Sequence, residues 1–136
     1  MRRCAHVLII WMFSWLVFAC DGTPTGPGQT TLQTGRWTGD GACLSIAEEQ
    51  CNLTVGCGHG QFPRPILDAD GTFEVDGTYR IEVGPVRIDP APAAHFSGVL
   101  VGSTLLLKVT PIGDSPPAAS YRMKRTSSGS CAVPCV

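Results

Sequence analysis

His95-Phe96-Ser97-Gly98-Val99-Leu100-Val101-Gly102-Ser103-Thr104-Leu105-Leu106-Leu107-Lys108-Val109-Thr110 is the stretch that decides the fold. Two runs of strand-forming residues flank Gly102-Ser103, and glycine at the first central position suits a two-residue type II′ turn. That turn sets Val101 against Thr104, Leu100 against Leu105, Gly98 against Leu107 and Phe96 against Val109. Phe96, Leu100, Leu105, Leu107 and Val109 then share one face, as an antiparallel hairpin over a core requires. Val99 and Leu106 also pair on the opposite face, which predicts a hairpin covered on both sides or lying under a neighbouring loop.

Working outward, Ala119 to Thr126 reads as a last strand, with Tyr121 and Met123 inward and Arg122 and Lys124 outward. Upstream, Asp70-Gly71 and Asp76-Gly77 both carry a turn signal. Three-residue loops with each glycine left-handed set Leu67 against Phe73, and Phe73 against Tyr79. Tyr79, Ile81 and Val83 continue inward from there. Cys51 to Cys57 alternates as a further strand, with Cys51, Leu53, Val55 and Cys57 on one face. Gly58 to Pro63 reads as a loop, Ile66-Leu67 as a short strand, and Ser45 to Gln50 as at most one helical turn. Pro85 to Pro92 holds too many prolines for a central strand and is expected as an edge segment and loop. The predicted fold is all-β, a small antiparallel meander of about seven or eight strands closing into a barrel or a two-sheet sandwich.

The N-terminus carries a different signal. Arg2-Arg3 precede an almost unbroken apolar run from Val7 to Ala19, the pattern of a secretory signal peptide. The run is short for a membrane span, which needs roughly 20 apolar residues. It ends in Val17-Phe18-Ala19-Cys20, which resembles the lipobox of bacterial lipoprotein precursors. The resemblance implies acylation of the Cys20 thiol and cleavage just before it. Asp21, beside the cysteine, is similar to the inner-membrane retention signal of enteric lipoproteins. The chain then divides into a signal peptide over 1–19, a lipidated N-terminus and flexible linker over 20–34, and a β-rich domain over 35–136. At the start of that domain, Gly35-Arg36-Trp37 is similar to the opening of lipocalins and avidins, where the tryptophan plugs a barrel end; otherwise Trp37 is simply a core aromatic at a strand start.

Without residues 1–19, eight basic side chains face eleven acidic ones, near net −3, and no charge run stands out. Nothing here favours a nucleic-acid partner. Five cysteines remain besides Cys20: Cys43, Cys51, Cys57, Cys131 and Cys135. In an oxidising compartment they are disulfide candidates, two bridges and one thiol. A Cys51–Cys57 bridge is excluded if both lie on one extended strand. The expectation is that Cys43 or Cys57 bonds to the terminal pair.

Candidate chemistry is sparse. Cys57 and His59 form a weak metal pair without paired-ligand spacing. Asp68-Ala69-Asp70-Gly71 with Glu74 and Asp76 has acidic character but not the spacing of a calcium loop. His59 and His95 are the histidines of the domain, and Asp68 with Glu74, or Asp70 with Asp76, are candidate carboxylate pairs. No catalytic constellation accompanies them. The expected role is therefore non-enzymatic and without cofactor: an exported lipoprotein of the cell envelope, anchored to a membrane through Cys20, serving as a binding or structural module with an envelope protein as possible partner. One alternative is an inhibitor resembling the small barrel lipoproteins that block lysozyme, acting through Gly58 to Arg64 or Pro85 to Ala94. A metal-binding envelope protein is the other.

Overall fold

Gly102 has φ +60°, and the hairpin it closes takes the expected register from Val101↔Thr104 through Phe96↔Val109. In this computed structural model the described residues are 29–136, leaving out 83, 86–88, 114–115, 128–130, 132–134 and 136. The signal segment, Cys20, Asp21 and Val83 lie outside them. The elements are β1 (Thr30–Thr31), β2 (Gly35–Gly39), β3 (Ala42–Ile46), β4 (Gln50–Val55), β5 (Gly58–Pro63), β6 (Ile66–Leu67), β7 (Thr72–Ile81), β8 (Ala93–Val101), β9 (Thr104–Pro111) and β10 (Ala119–Thr126). Eight of them close a barrel in the order β10-β2-β3-β4-β5-β7-β8-β9, every neighbour antiparallel. The meander is thus a barrel and not a sandwich, and closure leaves no long unpaired edge.

The small β1–β6 sheet lies where β2 starts and β5 ends. Leu32 is fully buried there, Leu67 is nearly so, and the Leu32 N–H donates to Pro65 O at 3.2 Å. Residues 30–34, expected within a flexible tether, therefore belong to the folded body. One apolar residue in a Thr-Gln context gives little sequence signal, but Leu32 has a core site to fill. Trp37 is buried beside this segment, its indole Nε1–H donating to Gln33 O at 3.4 Å.

Three local expectations are corrected. Gly58–Pro63 is strand β5, not a loop, because a two-residue turn at Gly56-Cys57 (Gly56 φ +54°) returns the chain beside β4. Cys57 consequently leaves the face shared by Cys51, Leu53 and Val55. Asp76-Gly77 is not a turn: β7 runs straight through it, pairing Asp76 with His95 and Gly77 with Ala94. Phe73 pairs with Gly98 and Tyr79 with Gly60, rather than with each other. Ser45 to Gln50 makes no helical turn; β3 and β4 meet there, closed by Ala47 N–H to Gln50 O at 2.9 Å. Around Asp70-Gly71 the three-residue loop forms as expected, with Gly71 at φ +81° and Asp68 N–H bonded to Thr72 O at 2.8 Å.

What the turn signals concealed is a packing rule. Inward glycines of β5 and β8 face aromatic side chains, and the one in β7 faces backbone. A Cβ on Gly58 would overlap the Tyr79 hydroxyl, one on Gly60 would crowd Phe96, one on Gly98 would lie 2.6 Å from Phe73, and one on Gly77 would overlap the Gln61 carbonyl of β5. Phe62 and Phe96 stack at a centroid distance of 4.3 Å. Small residues opposite large ones fill the taper of a narrow barrel.

Candidate functional site

Among the described residues the barrel interior is lined by apolar side chains, two phenols and a thiol. Phe62, Phe73, Phe96, Leu44, Leu53, Leu105, Leu107 and Met123 are fully or almost fully buried and fill the barrel. Tyr79 and Tyr121 meet across it through their hydroxyls. Burial first, then the neighbouring Tyr121, raises the Tyr79 phenol above its ordinary value; burial likewise raises Tyr121 against the opposing pull of the Tyr79 hydrogen bond. Cys51, fully buried, was a disulfide candidate and is unbridged. Its side chain points into the barrel, away from the bridged cysteines, and burial pushes the thiol from 9.0 up to about 12 against a smaller pull from Arg64. Such a thiol is protonated and inert at neutral pH.

Two bridges join the chain end to the barrel: Cys43–Cys131 and Cys57–Cys135, with Cα separations of 5.4 and 4.6 Å. Both halves of the expectation hold at once, since each of Cys43 and Cys57 takes one terminal cysteine. After β10 ends near the start of β2, these bridges bring the chain back to the Gly56-Cys57 turn at the opposite rim. Cys57 is thereby removed from any metal site with His59, and among the described residues no group of three His, Cys, Asp or Glu is placed to hold a metal ion.

The polar candidates are each turned to a local partner. His59 Nε2 lies 3.5 Å from Glu82 Oε2, and Glu82 Oε1 accepts from Arg80 Nε at 2.9 Å. His95 Nδ1 lies 2.8 Å from Asp76 Oδ1, a cross-strand pair on the outer wall. Asp70 accepts from the Thr72 hydroxyl at 2.6 Å and the Thr72 N–H at 3.1 Å, and these bonds hold its carboxyl below the ordinary value. The candidate pair Asp70–Asp76 is therefore divided, Asp76 being committed to His95 and Asp70 to the turn, whereas Asp68 and Glu74 both line one groove of the outer wall. Of the two loops considered for insertion into an enzyme, Gly58 to Arg64 is mostly strand β5, and Pro85 to Ala94 includes residues outside those described.

The outer wall offers a more open feature. A groove of about 650 Å³ lies over β7, β8, β9 and β10, bounded on one side by Ile66 and Asp68 before the β7 hairpin. Its walls include Val99 and Leu106, the outward pair of the 95–110 hairpin, with Glu74 and Lys108 beside them. The expected cover over this second apolar face is only partial, and Ile66 and Leu106 remain 52% and 37% exposed. Sequence alternation exposed Val99 and Leu106; nothing in it linked Ile66 to them, because their sharing of one groove depends on barrel closure.

Asp40 was also missed. Asp40-Gly41 is a two-residue turn with φ +51° and +74°, the type I′ geometry that Asp-Gly favours. Asp40 Oδ2 also accepts from the Arg122 N–H at 2.7 Å, just past the last β2–β10 pair. The Asp-Gly dipeptide between Trp37 and Leu44 was a legible hairpin signal.

No family model, curated protein or solved structure matches this chain.

Proposed function

We propose that the protein is an exported, lipid-anchored module of the bacterial cell envelope that works by binding on the outer wall of its barrel, without catalysis. The filled interior carries this reading. With Phe62, Phe73, Phe96 and Met123 occupying the barrel axis, a carried ligand has no room inside, and contacts are made on the wall and rims. Val17-Phe18-Ala19-Cys20 supports anchoring, and the two bridges suit an oxidising compartment. The Glu74–Lys108 groove with its Ile66, Val99 and Leu106 walls is the surface best shaped for an envelope protein.

Fractionation and lipid labelling test the anchor. The native protein is expected in the membrane fraction carrying labelled acyl chains, with both lost in Cys20→Ser. A wild-type protein recovered unlabelled from the cytosol overturns it. A photo-crosslinking residue at Ser97, inside the groove, is expected to capture an envelope partner in intact cells, while the same residue at Asn52 does not. Equal capture at both positions, or none at either, rejects the groove as the working surface.

A further inference from the structure

The barrel is electrically lopsided. Strands β10, β2 and β3, contiguous in the sheet, carry Arg36, Arg122, Lys124 and Arg125 and no carboxylate, whereas Asp68, Asp70, Glu74 and Asp76 gather around β6 and β7. On the basic side a groove of about 630 Å³ opens at the rim where β2 begins, lined by Gly35, Arg36, Ser45, Arg125, Thr126 and Ser127 together with Ile46. Arg36 lies on the outer face between Ser45 and Thr126. Its Nε–H is shielded from solvent and has no hydrogen-bond partner among the described residues, and its guanidinium has no carboxylate there. An orphaned, charged donor of this kind is costly unless a ligand satisfies it.

Arg125 is held in place without being neutralised. Its Nη2 donates to Thr34 O at 3.0 Å and its Nη1 to Gln33 Oε1 at 3.4 Å. Its Nε lies against Gly35, where a Cβ would come within 3.1 Å. Both acceptors are uncharged, so the positive charge of this groove-lining side chain is not neutralised by them. Arg64 and Arg80 differ, since Glu48 and Glu82 compensate them at 3.4 and 2.9 Å. Two uncompensated guanidiniums with the Ser45 and Ser127 hydroxyls beside them have the donor set that binds a multivalent oxyanion, the planar forks of arginine matching its oxygen pairs.

We infer that the groove between Arg36 and Arg125 is a binding site for a phosphate group, presented by an anionic lipid headgroup or as free phosphate. The groove adjoins residues 29–34, the segment that leads back toward Cys20, so a headgroup is within reach if the anchor forms. The phosphate chemistry itself does not depend on the anchor.

The test uses the purified full-length protein and the arginine side-chain Nε–H resonances, titrated with inorganic phosphate and, separately, with phosphatidylglycerol or uncharged-surface phosphatidylcholine vesicles. The Arg36 and Arg125 resonances are expected to shift saturably; followed at Arg125, the affinity is expected to be about tenfold weaker in Arg36→Gln and unchanged in Arg80→Gln. Saturation by inorganic phosphate assigns the free ion; a response to phosphatidylglycerol vesicles alone assigns the headgroup. An Arg36 resonance that moves with neither probe overturns the site, as does an equal loss of affinity in Arg80→Gln. Lipid labelling at Cys20 reads the anchor separately, so failure of one reading is distinct from failure of the other.

Discussion

A methyl group on Gly58 has nowhere to go, because the Tyr79 hydroxyl occupies the space a Cβ would need. Gly58→Ala is expected to destabilise the protein by about 1–3 kcal/mol in urea unfolding, the usual range for overpacking. Gln61→Ala, exposed on the outer wall of the same strand, is expected to change it by no more than about 0.5 kcal/mol. Removing the phenol oxygen relieves the clash, so Gly58→Ala with Tyr79→Phe is expected to recover part of the loss; strictly additive effects would contradict the contact. Titration gives a second residue-level test. Cys51, Tyr79 and Tyr121 all hold their protons more tightly in the folded state than an exposed group does. The contribution of these three groups is therefore fully present below pH 9.0 and declines as the pH rises from there toward 12, first through the thiol and then through the phenols. Cys51→Ala is expected to flatten the early part of that alkaline decline in unfolding measured across the range. An unchanged slope would show that the thiol ionises as freely as in the unfolded chain.

At the scale of strands and turns, the Asp40-Gly41 turn separates two roles of one side chain. Asp40→Gly keeps the left-handed backbone and loses the acceptor for Arg122 N–H, while Asp40→Ala loses both. Costs of about 1 and about 2 kcal/mol are expected; equal costs would assign the whole effect to the Arg122 hydrogen bond, and a negligible cost in Asp40→Gly would assign it to the turn. The terminal bridges act over sequence separations of 88 and 78 residues. Cys57→Ala with Cys135→Ala is expected to lower stability by about 2–4 kcal/mol while the barrel spectrum persists. The same scale shows what was legible. The 95–110 hairpin was readable residue by residue, because clean alternation and Gly102-Ser103 are local signals. Strand β5 was not, because Gly58 and Gly60 look like loop residues until Tyr79 and Phe96 arrive from other strands. Asp76-Gly77 misled for the same reason: its glycine answers a close approach by β5, not a reversal of the chain.

For the molecule as a whole, closure turns the meander into a filled body with an acidic side at β6–β7 and a basic side at β10–β2–β3. None of the surface sites could be read directly from sequence. Ile66 and Leu106, like Arg36 and Arg125, come to line one groove only after distant strands become neighbours, and charge counting over the whole chain averages the asymmetry away. The bridges were partly legible, since the cysteine number and the compartment expected from the N-terminal pattern limited the options, whereas the inward turn of Cys51 required the barrel. The proposed anchor and the two bridges meet in a single covalent state, which intact mass under non-reducing conditions measures on protein taken from its native source. The expected species begins at Cys20, carries acyl chains, and is four hydrogens lighter than the fully reduced chain, two for each bridge. A species that retains Met1, lacks acyl mass and has all its thiols free would contradict it.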